Sequence, residues 1–224
     1  PICSGEGFTY NPADDPNNTV PSGTLYEWTV FADGPATGYT DQGANGVSPI
    51  SQTNLEVVNI PVTLTYTVTP YAPGTDGNRC PGEIFFINIQ INPKPVIFDQ
   101  TAVICSGDDL IIPGAANAPP TIVPVATTYT WEIVSADSGI QNAISSTDLT
   151  GGPFTEMLIQ SGPNALVNDL DVVQFVTYIV TPTSGDDGNC VGDPFEITVQ
   201  VDPEPTISSV TLDPICSGEG FTYN

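Results

Sequence analysis

The same eleven letters, PICSGEGFTYN, stand at residues 1–11 and again at 214–224, and a looser copy, VICSGDD, stands at 103–109. From Ile2 to Ile104 is 102 residues and from Ile104 to Ile215 is 111, so two unequal units make a period of 213. The landmarks between these starts keep one order. TLYEWTVF with Trp28 answers TTYTWEIV with Trp131, LTYTVTP with Tyr66 answers VTYIVTP with Tyr178, DGNRCPG answers DGNCVG, and INPKP answers VDPEP. Self-similarity in register is the mark of a repeat architecture, in which each unit is one folded module. An exact match flanked by diverged units makes the pair the true repeat, and the sequence reads as a mature fragment, a window on a longer array.

Within a unit the apolar period is two. Val62, Leu64, Tyr66 and Val68 alternate with four Thr, and Phe85, Ile87, Ile89 and Ile91 form a second one-sided stripe. Unit 2 repeats both, with Val176, Tyr178 and Val180 and then Phe195, Ile197, Val199 and Val201. Such stripes are half-buried strands, and no segment carries a helical pattern. Units of about 100 residues, short strands, Gly/Pro/Asn/Asp turns and a Trp in an early strand predict an all-β chain of immunoglobulin-like sandwiches in an extended array. The stiff steps Pro93 to Pro95 and Pro203 to Pro205 are the natural joints. The expected domains are 1–95, with its first strand supplied by a preceding unit; 96–205; and 206–224, the start of the next repeat. The first strand of a unit is expected at VIFDQTA or TISSVTLD, with ICSG as the turn into the second strand.

Charge excludes several functions. Of 224 residues 26 are Asp or Glu, two are Lys or Arg and none is His, a formal charge of −24. Nucleic acid and acidic membrane surfaces require basic groups that Arg79 and Lys94 cannot supply, so neither is an expected partner. Without His there is no Ser-His-Asp triad and no His-containing zinc site. No pair of carboxylates stands out for glycoside hydrolysis, so no enzyme is expected. No apolar run approaches the length of a membrane helix, and no signal peptide opens the sequence.

The string of ICSG, a Trp strand of the YxW type, TYTVTP, Asn-x-Cys or Gly-Asn-Cys and a closing VNPKP-like segment resembles the PKD-like and Ig-like tandem repeats of Bacteroidota cell-surface and secreted proteins. It covers nearly the whole chain, twice. The resemblance implies a large extracellular protein acting as stalk, adhesin or filament, and carries no catalytic residues with it. The PADDPNN loop and the segment 135–173 depart from the compact pattern.

Five Cys without His read as disulfides of an oxidising compartment. Each unit places one in ICSG (Cys3, Cys105, Cys216) and one after its penultimate strand (Cys80, Cys190). Pairing within a unit would join Cys3 to Cys80 and Cys105 to Cys190. In immunoglobulin topology, however, these positions lie at opposite ends of one sandwich, roughly 20–25 Å apart, whereas a disulfide tolerates less than about 7 Å between Cα atoms. That geometry favours Cys3 with Cys190 across the joint, and Cys105 with a Cys of the following unit. The within-unit pairs and free thiols stay open as alternatives.

Asp14, Asp15, Asp76, Asp186 and Asp187 are weak calcium candidates on loops, although Asp-Gly-Asn is first of all turn chemistry. No other cofactor is expected. Trp28 and Trp131 are expected in the cores. Asn17 opens an Asn-Asn-Thr acceptor sequon, which makes covalent glycan a candidate addition. The function expected is a structural repeat of an extracellular bacterial stalk or filament whose partners are neighbouring copies of the same repeat. The alternative is an adhesin module that recognises glycan or protein through its loops. Exposed aromatics confined to one unit would mark that role, and Tyr39 and Phe154 are the isolated candidates.

Overall fold

The computed structural model describes every residue except 75–77, 119, 151, 153, 186–187, 212–213 and 223–224, together with the side chain of residue 44. Unit 1 contains β1 (Ile2–Cys3), β2 (Phe8–Tyr10), β3 (Leu25–Ala32), β4 (Ala36–Thr37), β5 (Gln42–Gly46), β6 (Ile50–Gln52), β7 (Glu56–Val57), β8 (Val62–Pro73), β9 (Arg79–Pro81) and β10 (Phe85–Asn92). One sheet runs β1-β10-β8-β3-β5, with β9 on β8; facing it are the pairs β2–β6 and β4–β7. Unit 2 contains β11 (Gln100–Cys105), β12 (Leu110–Ile112), β13 (Thr128–Ala136), β14 (Ile140–Gln141), β15 (Leu158–Gln160), β16 (Val167–Asn168), β17 (Gln174–Thr183) and β18 (Phe195–Asp202). Its sheet runs β11-β18-β17-β13, faced by β12–β15 and β14–β16. In both units the first strand lies parallel to the last, and among the described residues every other strand pairing is antiparallel. Both are immunoglobulin-like sandwiches.

The alternating stripes build the cores. Val62, Leu64, Tyr66 and Val68 are buried in unit 1, and Val176, Tyr178, Val180, Phe195, Ile197, Val199 and Val201 in unit 2. Trp28 and Trp131 are buried opposite Val68 and Val180 respectively. The last-strand stripe of unit 1 is less covered: Phe85, Ile87 and Ile89 are only half-buried. The neighbouring strand explains this, since β11 flanks β18 from Gln100 to Cys105 while β1 flanks β10 only at Ile2 and Cys3.

The first strand of unit 2 lies later than its sequence suggested. It spans Gln100–Cys105 rather than 96–102, and Val96 instead bridges Ile122. The register decides the matter by placing Ala102 opposite Val199 and Ile104 opposite Val201, so that their side chains meet the core while Val103 points out, 62% exposed. Ile104 and Cys105 therefore end the strand, and the turn proper begins at Ser106. That turn recurs three times with a glycine at positive φ, which a side chain would strain: Gly5 at +89°, Gly107 at +86° and Gly218 at +96°. Glu6 N donates to Cys3 O and Glu219 N to Cys216 O, both at 3.0 Å.

Candidate functional site at the joint between units

The joint is built from the end of unit 1 and the turn between the last two strands of unit 2. Cys3 lies opposite Asn92, where β10 gives way to Pro93-Lys94-Pro95. Cys190 is held by Ser184, whose Oγ accepts from Cys190 N and whose N donates to Cys190 O, both at 2.9 Å. The two cysteines form a disulfide with Cα atoms 5.6 Å apart, and Cys190 Sγ also approaches Asn92 O at 3.9 Å. The within-unit pairs Cys3–Cys80 and Cys105–Cys190 are therefore not formed. Parallel pairing of first and last strands carries Cys3 to the opposite end of unit 1 from Cys80, and brings it to the turn of unit 2.

Three further contacts close the joint. Lys94 Nζ meets Asp193 Oδ1 at 2.7 Å. With the Asp193 side chain 90% exposed, this ion pair contributes about 0.2–1 kcal/mol at most. Gly192 lies against Pro95, since a Cβ there would stand 2.7 Å from Pro95 O and 3.2 Å from its Cβ. Gly188 packs on the Asn92 side chain in the same way. Asn92, Pro93 and Pro95 are buried beneath these contacts. The disulfide closes a separation of 187 residues, which on the chain-entropy account stabilises the folded chain by about 5 kcal/mol. Cys80, Cys105 and Cys216 are exposed thiols.

The acidic candidates are not gathered. Asp14 Oδ1 accepts from Asn11 Nδ2 at 2.8 Å, and Asp15 Oδ1 accepts from Asn17 N and Nδ2 at 2.9 Å, so both organise their own loop. Asp76, Asp186 and Asp187 lie outside the described residues, among which no group of three or more metal-ligating side chains occurs. Asn17 is exposed. Tyr39 is half-buried against the first core, and Phe154 packs at a tilt on Trp131 with ring centroids 5.1 Å apart, so neither is a free loop aromatic.

Sequence reasoning missed an open cleft of about 740 Å³ at the far end of unit 1, lined among others by Tyr10, Asn17, Tyr26, Cys80, Phe85 and Phe86. Phe86 is 63% exposed and stands on the outward face of β10. Its place in an alternating strand hid it, because an outward Phe carries no local signal.

No curated protein matches the chain. Among solved structures it is similar to Sidekick-1 immunoglobulin domains 1–4, at 8% identity and a TM-score of 0.28, covering 93% of this chain and 46% of that one. It is also similar to human Protocadherin-24 EC1-2, at 10% identity and a TM-score of 0.24, covering 80% of this chain and 83% of that one. The chain thus spans under half of the Sidekick-1 fragment. The family described as PKD-like domain matches residues 1–95 and again 102–205. Families of this kind are generally non-catalytic repeat or adhesion-type modules. With two tandem copies covering it and two immunoglobulin-like sandwiches joined end to end, the chain belongs to the PKD-like domain family.

Proposed function

We propose that the chain is a structural repeat of an extracellular bacterial stalk or filament, whose task is to transmit length and tension. One observation carries this reading: the Cys3–Cys190 disulfide crosses the joint and fixes two modules end to end. A domain that only folds has no need of a bond to its neighbour. Disulfides persist in oxidising compartments, which supports an extracellular reading. Pro93 and Pro95 stiffen the connection, and the charge of −24 keeps neighbouring chains apart at low salt. Neighbouring repeats are the partners in this reading, the segment preceding a unit completes its first strand, and glycan on Asn17 is a further covalent addition.

Electron microscopy of the native material tests the proposal. Two sandwiches of about 40 Å predict a regular axial spacing near 80 Å or somewhat more. Scattered flexible beads without that spacing would refute it. The cleft with Tyr10, Phe85 and Phe86 favours a second reading, an adhesin module that stacks sugar rings or a peptide on aromatics of unit 1. Glycan-array binding that is lost in Phe86→Ala would select it.

A further inference from the structure

Each half of the observed joint has a counterpart that stands uncovered. Cys105 ends β11 opposite Asp202 as Cys3 ends β1 opposite Asn92. The following turns match: Ser106 N donates to Asp202 O at 2.9 Å and Ser4 N to Asn92 O at 2.8 Å. At the other end Cys80 lies opposite Ala72, and Gly82 N donates to Pro70 O at 2.8 Å, just as Gly192 N donates to Pro182 O at 2.8 Å two residues beyond Cys190. The cover differs. Asn92, Pro93, Pro95, Cys190 and Gly192 are buried, whereas Asp202 and Pro203 are half-buried and Cys80, Gly82, Cys105 and Pro205 are exposed. Beside Cys105 an open cleft of about 700 Å³ is lined by Ser106, Asn168, Asp169, Pro203 and Pro205.

We infer that these open halves mate: the Cys105 end of unit 2 takes the Cys80 turn of unit 1 from a second copy of the repeat, through a Cys105–Cys80 disulfide, and charge makes it prefer that turn to the unit-2 turn. The inference rests on the structural reading above and adds to it a rule for the order of units.

The rule follows from where the only two bases of the chain stand. In the observed joint Lys94 meets Asp193. Its counterpart in unit 2 is Glu204, so the end of unit 2 presents Asp202 and Glu204 with no base. In sequence, residues 184–193 of unit 2 hold three Asp and again no base, and Asp193, which stands at the joint, would oppose like charge with like. The unit-1 turn, residues 72–83, carries Asp76 and Glu83 but has one residue more before its cysteine, and that residue is Arg79. Arg79 Nη2 donates to Asn45 Oδ1 at 2.9 Å, which holds the guanidinium on the exposed rim next to Cys80. Complementary charge across an interface sets association rate and rejects wrong partners. Each joint of the array then has its own base, Lys94 in one and Arg79 in the next.

The bond itself forms by thiol–disulfide exchange with a small-molecule disulfide as oxidant. One thiolate attacks oxidised glutathione and releases a glutathione thiolate. The other thiolate then attacks the mixed disulfide, forming the Cys105 Sγ–Cys80 Sγ bond and releasing the second glutathione. Two thiol protons go to solvent and two electrons to the glutathione pair.

The test uses the 224-residue chain with Cys216→Ser, incubated with oxidised glutathione at low salt. Non-reducing electrophoresis follows the multimers, and peptic peptide mapping identifies their links. Cys80–Cys105 links should dominate, form about tenfold more slowly in Arg79→Glu, and recover in the double variant Arg79→Glu/Glu204→Lys. Absence of intermolecular links, or Cys80–Cys80 and Cys105–Cys105 links in statistical proportion, overturns the inference, as does a double variant that stays slow. If the links form at random while Cys3–Cys190 persists, the order rule fails and the structural reading stands; micrographs without a regular spacing do the reverse.

Discussion

Tyr66 and Tyr178, the tyrosines of the two TYxVTP stripes, are fully buried, and neither hydroxyl has a hydrogen-bond partner among the described residues. Each ring earns its place by area, and in unit 1 Phe8 stands edge-on to Tyr66 at 5.1 Å. Burial pushes both phenols above their ordinary value of 10.0. Below pH 10 they are neutral in folded and unfolded chains alike, and stability is unaffected. Above it the unfolded tyrosines ionise while the buried ones resist, so stability falls as pH rises. Urea melts from pH 8 to 11, with exposed thiols alkylated, should show this fall, and it should be shallower in Tyr66→Phe/Tyr178→Phe. At pH 7 each single Phe variant should shift stability by less than about 1 kcal/mol, since a hydroxyl without a partner is lost with little penalty. The two Trp differ: Trp28 Nε1 donates to Thr40 O at 3.0 Å and Trp131 Nε1 to Ile144 O at 3.3 Å, so their polar edges are paired.

Strands and turns show what a sequence can and cannot reveal. The stripes of β8, β10, β17 and β18 were legible because a sandwich buries alternate residues, and period two follows directly. The start of β11 was not. VIFDQTA is as apolar as QTAVIC, and only pairing beside β18 decides which of them lies in the sheet. Opposite ends for Cys3 and Cys80 followed from topology, but the cover over Pro95 did not, because Gly192 looks like any turn glycine. Its role is steric. In Gly192→Ala the new Cβ meets Pro95 O and Pro182 Cγ, each at 2.7 Å, so the joint must open or the turn shift. A cost of about 1–3 kcal/mol is expected in urea denaturation. Gly82→Ala meets only Pro70 within 3 Å and should cost less.

At the scale of the molecule, the disulfide decides where tension runs. Pulled from its two ends, the chain passes force from Cys3 straight to Cys190, and the 187-residue separation between them cannot extend. Only about 37 residues of the 224 remain to lengthen, which at ~3.4 Å each gives roughly 130 Å. Reduced, the whole chain can extend to roughly 750 Å. Single-molecule force spectroscopy with and without reductant should therefore show a release several times longer once Cys3–Cys190 is cut, and Cys3→Ser should behave like the reduced chain even in oxidising buffer. Equal release in both states would mean that the bond does not carry the load. In the oxidised chain the strand exposed to force is β18, which lies beyond Cys190 and is bonded to both β11 and β17. A further staple from Cys105 to the next copy would begin before β18 and end beyond it, shielding that strand as well. In an array with staples overlapping in this way, tension can lengthen only the short stretches between one staple and the next before covalent bonds take the load.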